Sequence, residues 1–179
     1  DAAAEVARLL ADEGIEMTPH TVGDRLDIPT SLLIATRLGD YQRDSDAGST
    51  PGLPSGVWRK VSGSGPDTIV AAHPLPPLPA MMSEWADGLA WIAGVCDSPD
   101  VIVAGDLNAT ADHLTGLGDG AHLIGECDDA ATGAGGAALG TWPSTAPPWI
   151  AAPIDHVLHG SSWAATGVQV PDGQSGGSD

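Results

Sequence analysis

Three short apolar runs constrain this chain more than anything else in it: Ser31–Thr36 (SLLIAT), Thr68–Ala72 (TIVAA) and Val101–Ala104 (VIVA). Each is too short for a buried helix, and their apolar content reads as buried strand. Between the second and third lies a different pattern. Over residues 81–96, Met81, Met82, Trp85, Leu89, Ile92, Ala93 and Cys96 fall on one face at helical spacing. Asp97-Ser98-Pro99 ends that segment before the third run. Strand, helix, strand in this order predicts an α/β layered domain.

The rest of the chain is arranged around that unit. Residues 2–12 place Val6, Leu9 and Leu10 at helical spacing, with Gly14 as a stop. Val57–Val61 reads as a strand, a short helix is expected from Asp112, and Ile154–Leu158 and Trp163–Val170 read as two final strands. Residues 39–55, rich in Gly, Pro, Ser and Asp, predict a flexible surface loop, and residues 130–140, rich in Gly and Ala, predict another. The stretch PLPPLPA (74–80) reads as a connector, with a polyproline ligand for an SH3-like partner as the alternative. Residues 171–179 form a polar tail, and a length of 179 residues predicts one domain over 1–179.

Charge narrows the partners. With 24 Asp and Glu against 6 Lys and Arg, the formal charge is −18. Such a surface repels nucleic-acid backbones and anionic lipid, so long polyanions are disfavoured. No run is apolar enough to span a membrane. Two cysteines, Cys96 and Cys127, fit either a pair of small buried hydrophobes or a single disulfide.

Chemically capable residues stand at three strand ends. Gly105-Asp106-Leu107-Asn108 follows the VIVA run, and a carboxylate beside an amide can take a proton from water or fix a phosphoryl oxygen. The same tetrapeptide also suits an Asx turn. Ile154-Asp155-His156-Val157-Leu158 sets a charged pair in an apolar run, with Asp155 and His156 on opposite faces. His73, locked by Pro74, could hydrogen-bond a phosphoryl oxygen or simply be a satisfied strand-end histidine. The other histidines, His20 in a loop among them, carry no metal-binding spacing, and zinc is not expected.

Taken in order, the strand ending in His73, the helix, V-I-V-A-G-D-L-N-A-T, T-W-P, P-I-D-H-V-L and the closing G-S-D resemble the endonuclease/exonuclease/phosphatase superfamily from about Ser31 to Asp179. The resemblance implies a deoxyribonuclease-I-like fold: a two-sheet β-sandwich flanked by helices in four layers. It implies that Asp106 activates or orients an attacking water near a metal, that Asn108 positions water and phosphate, and that His73 bonds a non-bridging phosphoryl oxygen. By the same likeness, Asp155 orients the family's last histidine and Asp179 lies near the metal. The implied chemistry is in-line attack of water on phosphorus, assisted by Mg²⁺ or Mn²⁺.

The pattern departs from the family at both ends. The histidine expected after Asp179 is absent, and Asp1 falls just after the position of the family's metal-binding Glu. The expectation is therefore of a domain lacking its N-terminal strands, inactive as an isolated segment. Acidity favours a small or lipid-linked phosphoester over nucleic acid as substrate. The alternatives are a nuclease and a non-catalytic binding module on the same fold. Similarity to bacterial members with membrane-spanning helices ahead of the domain implies an extracytoplasmic location.

Overall fold

A computed structural model describes residues 2–23 and 28–170. Along the chain run α1 (Ala2–Asp12), β1 (Met17–Val22), β2 (Thr30–Ala35), β3 (Asp40–Arg43), β4 (Gly56–Ser62), β5 (Thr68–Ala71), α2 (Met82–Val95) and β6 (Val101–Asp106). They are followed by α3 (Ala111–Leu114), β7 (Leu117–Gly118), β8 (Ile124–Gly125), β9 (Asp128–Asp129), α4 (Ala130–Gly133) and β10 (Asp155–His159). The expected strands and the helix of the central unit are all present, with ends shifted by a residue or two.

β5 and β6 pair in parallel at the middle of a six-stranded sheet ordered β3-β4-β5-β6-β10-β9. A parallel pair needs a crossover, and α2 supplies it. The sheet's other pairs are antiparallel. Every residue of β5 is buried, as a strand covered on both faces requires. Alternation along β4 and β5 shows what covers each face. Val57 and Val70 join Trp85, Leu89 and Ile92 of α2 in the main core. Their neighbours Trp58 and Ala71 point the other way and pack with Val22 of β1 and Leu32 of β2. α1 in turn packs on the β1–β2 ribbon. The layers are therefore α2, the large sheet, the β1–β2 ribbon and α1, which is the four-layer sandwich expected.

Two features pin α2 in place. Gly88 sits so close to the Pro74 ring that a Cβ there would lie 2.8 Å from it, so only glycine lets the helix approach the chain beside His73. At the other end, Cys96 is joined by a disulfide to Cys127, with Cα atoms 5.5 Å apart. The open choice between buried thiols and a disulfide resolves as a disulfide.

Several expectations change. Residues 39–55 hold β3, a 3-10 turn at Ser45–Ala47 and the buried Thr50 and Ser55. A run of Pro, Gly and hydroxyl residues reads as solvent-facing, but here its hydroxyls bond one another and the chain beneath. Residues 130–140 open with α4, capped by the Asp129 carboxylate on the Thr132 N–H. His20 lies in β1, which low apolar content and Pro19 conceal. Residues 163–170 form no strand; the Trp163 N–H turns back to the Gly160 carbonyl and its indole N–H donates to Asp100 at 2.7 Å. On α1 the buried residues are Ala3 and Ala7, whereas Val6 and Leu9 are exposed, because small side chains let the helix lie close to the ribbon. The tail 171–179, with Asp179, lies outside the described residues. Among those described, no helix is long and apolar enough to cross a membrane.

Candidate active site

The site lies at one end of the large sheet, where β5 and β6 finish and β10 begins. The antiparallel register sets Asp155 directly opposite Asp106. Facing residues of such a pair have their Cα atoms only about 5 Å apart. The parallel register of β5 with β6 brings His73, just past the end of β5, to the same edge. Gly105 makes this closure possible: a Cβ at that position would overlap the carbonyl oxygen of Ala72. Four sequence-selected residues, His73, Asp106, Asn108 and Asp155, thus come from three strand ends to one place.

Asp106 is half-buried, and its Oδ1 accepts the backbone N–H of Asn108 at 2.7 Å. The Asx turn is therefore real, and it is also what orients the carboxylate. Burial pushes the Asp106 carboxyl above its ordinary value, and the charge of Asp155 adds to that against the opposing bond from Asn108. A carboxylate raised in this way is a better proton acceptor near neutral pH.

Asn108 has φ of 47°, in the left-handed region that an asparagine tolerates better than most residues. That conformation carries its side chain back to the Pro74 carbonyl oxygen, to which Nδ2 donates at 3.0 Å. One amide hydrogen is committed, and the second, with Oδ1, remains for a water or a phosphoryl group.

His73 is held from beneath by residues that its sequence neighbourhood does not announce. Its backbone N–H donates to the buried Ser55 Oγ at 2.9 Å, and Ser55 Oγ meets Thr50 Oγ1 at 2.5 Å. Thr30 Oγ1 of β2 stands 3.5 Å from His73 Nδ1. The second layer thereby reaches the site, and Nε2 is the nitrogen left for a ligand. Ser55 and Thr50 escaped sequence reasoning because STPGLPS (49–55) carries only turn signals.

Asp155 is exposed, and its backbone N–H donates to Thr141 Oγ1 at 3.3 Å. His156 faces the opposite side, buried, with Nδ1 3.1 Å from Asp129 Oδ1 and Nε2 2.8 Å from the Ala109 carbonyl oxygen. The imidazole next to Asp155 in sequence is thus oriented by Asp129, as that of His122 is by Asp128. An open cleft of about 680 Å³ adjoins Gly105 and Asp155, walled by Thr141, Ala130, Ala131 and residues 164–170. Trp142 and Trp149, on the loop that follows Thr141, are exposed and do not pack in the core.

The paired carboxylates of Asp106 and Asp155 are hard oxygen donors of the kind Mg²⁺ and Mn²⁺ prefer. The described residues contain no group of three His, Cys, Asp or Glu side chains that could hold a metal ion. They fit one side of a cation site in chemistry and do not by themselves complete it.

Residues 17–179 match the Endonuclease/Exonuclease/phosphatase family. No curated protein matches the chain. Among solved structures, that of truncated Caenorhabditis elegans TDP2 is similar at a TM-score of 0.55 and 11% identity, covering 87% of this chain and 66% of that one. A functionally unknown conserved protein from Enterococcus faecalis V583 matches at a TM-score of 0.51 and 13% identity, over 87% of this chain and 77% of that one. The chain spans just under two thirds of the TDP2 chain's length. At such identities these likenesses concern the fold.

Proposed function

This chain belongs to the Endonuclease/Exonuclease/phosphatase family, and on that premise we propose that its protein is a phosphoester hydrolase using Mg²⁺ or Mn²⁺. The observation that carries the reading is the convergence of His73, Asp106, Asn108 and Asp155 at one sheet end. In this reading Asp106, raised by burial and by Asp155, accepts the proton of the attacking water. Asn108, anchored through Pro74, positions that water against phosphorus, and His73 Nε2 hydrogen-bonds a non-bridging oxygen. Asp106, with Asp179 as the sequence likeness implies, would hold the cation, which when bound offsets charge on the phosphoryl group.

A small or lipid-linked phosphoester suits the chain better than long nucleic acid, since 24 acidic side chains face 6 basic ones. An extracytoplasmic location is supported by the Cys96–Cys127 disulfide, because such bonds persist in oxidising compartments.

The test is Asp106→Asn in the full-length protein, assayed on aryl phosphodiesters and monoesters with Mg²⁺ and Mn²⁺. We expect kcat/KM to fall by roughly 10²–10⁴ with circular dichroism unchanged. A rate equal to the wild type's would remove Asp106 from the chemistry. Absence of any metal-dependent hydrolysis by the wild type would favour a non-catalytic module.

A further inference from the structure

The chain's charges are distributed unevenly. Although it carries −18 overall, residues 130–154 contain no charged side chain at all. Within that stretch Leu139 is 38% exposed, and three large apolar residues stand further into solvent: Trp142 is 52% exposed, Trp149 78% and Ile150 63%. They are not on a frayed strand. The Trp142 and Ala152 backbones bond each other reciprocally, at 3.0 and 2.6 Å. The Gly140 N–H reaches the Pro148 carbonyl, and the N–H groups of Ile150 and Ala151 both reach the Pro147 carbonyl. A loop closed this way presents its tryptophans at fixed positions, in a chain whose other large aromatics are mostly covered.

We propose that the loop 140–152 is a docking surface for an electrically neutral lipid interface, such as zwitterionic phospholipid. Tryptophan is the side chain most at home at the boundary between headgroups and acyl chains, with an apolar body and a polar N–H. Isoleucine adds apolar area that gains free energy on leaving water. Charge selects among the possible occupants. An anionic membrane would repel a chain of this charge, and so would a second copy carrying the same −18. A net-neutral lipid surface imposes no such cost. The loop is also continuous with the candidate active site: Thr141, immediately before Trp142, holds the Asp155 N–H and lines the cleft beside it. Docking would therefore set that cleft against the membrane plane, where phosphoester headgroups lie. The delivery of a headgroup to Asp106 rests on the proposed hydrolase; the docking itself does not.

The experiment is flotation of the full chain with phosphatidylcholine vesicles and, separately, with phosphatidylglycerol vesicles. Flotation with phosphatidylcholine, insensitive to salt and stronger than with phosphatidylglycerol, is expected. The double variant Trp149→Ser/Ile150→Ser should partition at least about tenfold more weakly, with its thermal melt unchanged. Should that variant unfold, brominated phosphatidylcholine must quench wild-type tryptophan emission. No flotation with phosphatidylcholine, undiminished flotation of a folded variant, or absence of quenching overturns the proposal. So does lipid-free self-association that the double variant abolishes, which would make a second copy the occupant. Asp106→Asn should float like the wild type. Hydrolysis of a soluble aryl phosphodiester without flotation sinks the docking alone, and flotation without Asp106-dependent hydrolysis sinks the catalytic reading alone.

Discussion

His156 and Asp129 form a buried, hydrogen-bonded pair, Nδ1 to Oδ1 at 3.1 Å, whose surroundings favour the doubly protonated imidazole. Its Nε2 faces the Ala109 carbonyl oxygen and its Nδ1 a carboxylate, and neither of those partners can donate. Burial pulls His156 down, but the bonds to Asp129 and Ala109 outweigh it and hold the group above its ordinary 6.5. Burial pushes Asp129 up, and the bonds from His156 and Thr132 outweigh that, leaving it below 3.8.

Stability should therefore depend on pH in a defined way. The raised imidazole contributes fully below its ordinary value and loses its contribution as pH rises through the folded value. The lowered carboxylate contributes above its ordinary value and loses it as pH falls through its own folded value. Thermal unfolding followed by circular dichroism should show the pair's contribution at full strength from about pH 4 to pH 6.5, with a decline on the alkaline side. Asp129→Asn should remove that decline and cost about 3 kcal/mol, since one buried charge loses its partner. An alkaline slope identical in wild type and variant would show that the pair is not its source.

Asp106 should behave in the opposite sense. Its folded value is raised, so keeping it ionised costs stability once pH exceeds the ordinary carboxylate range. Asparagine has the same shape, and its Oδ1 can still accept the Asn108 N–H. Asp106→Asn is thus expected to raise Tm at neutral pH and to give no gain under acid, while hydrolysis is lost. A lowered Tm at neutral pH would mean that the carboxylate is compensated in the apo protein.

Asn108 separates backbone from chemistry. With φ of 47°, glycine should be tolerated there better than alanine, by about 1 kcal/mol in urea unfolding. Both variants should lose hydrolysis alike, because both lack the amide anchored on Pro74. Equal stabilities would indicate that the left-handed conformation is not kept in the variants.

Removing the disulfide tests how the end of α2 is held. Cys96 and Cys127 are 31 residues apart, and closing a loop of that length stabilises by about 3–4 kcal/mol on chain-entropy grounds. The Cys96→Ala/Cys127→Ala variant should lose that much in denaturant unfolding. A loss under about 1 kcal/mol would mean that the surrounding core fixes the geometry without the bond.

The parts of this architecture legible in sequence were those whose residues answer to one local rule. TIVAA and VIVA are strands because they are short, continuously apolar and central in the sheet, and α2 because its stripe has helical spacing. Asp106, Asn108 and His73 could be singled out because they stand directly after such runs. What stayed hidden depends on partners distant in the chain. Asp129 sits in ECDD (126–129), which has no pattern of its own, and its meaning comes from the β9–β10 register that sets it beside His156. Thr30, Thr50 and Ser55 support His73 only after the ribbon and the 39–55 segment have folded over it. Trp163–Val170 has strand composition, but Trp163 is tied back to Gly160 and Asp100 and the segment joins no sheet, a distant tie that composition does not show.

The pairing of β10 with β6 has a kinetic side. β5, α2 and β6 can assemble from near neighbours, but Asp155 reaches Asp106 only when a segment of nearly fifty residues has closed on itself. Contacts of such separation pay their chain entropy before they are rewarded, and they form late. Until then the core lacks Leu158 and the two carboxylates stay apart, so the hydrolysis proposed for the full-length protein should be among the last properties a refolding molecule acquires.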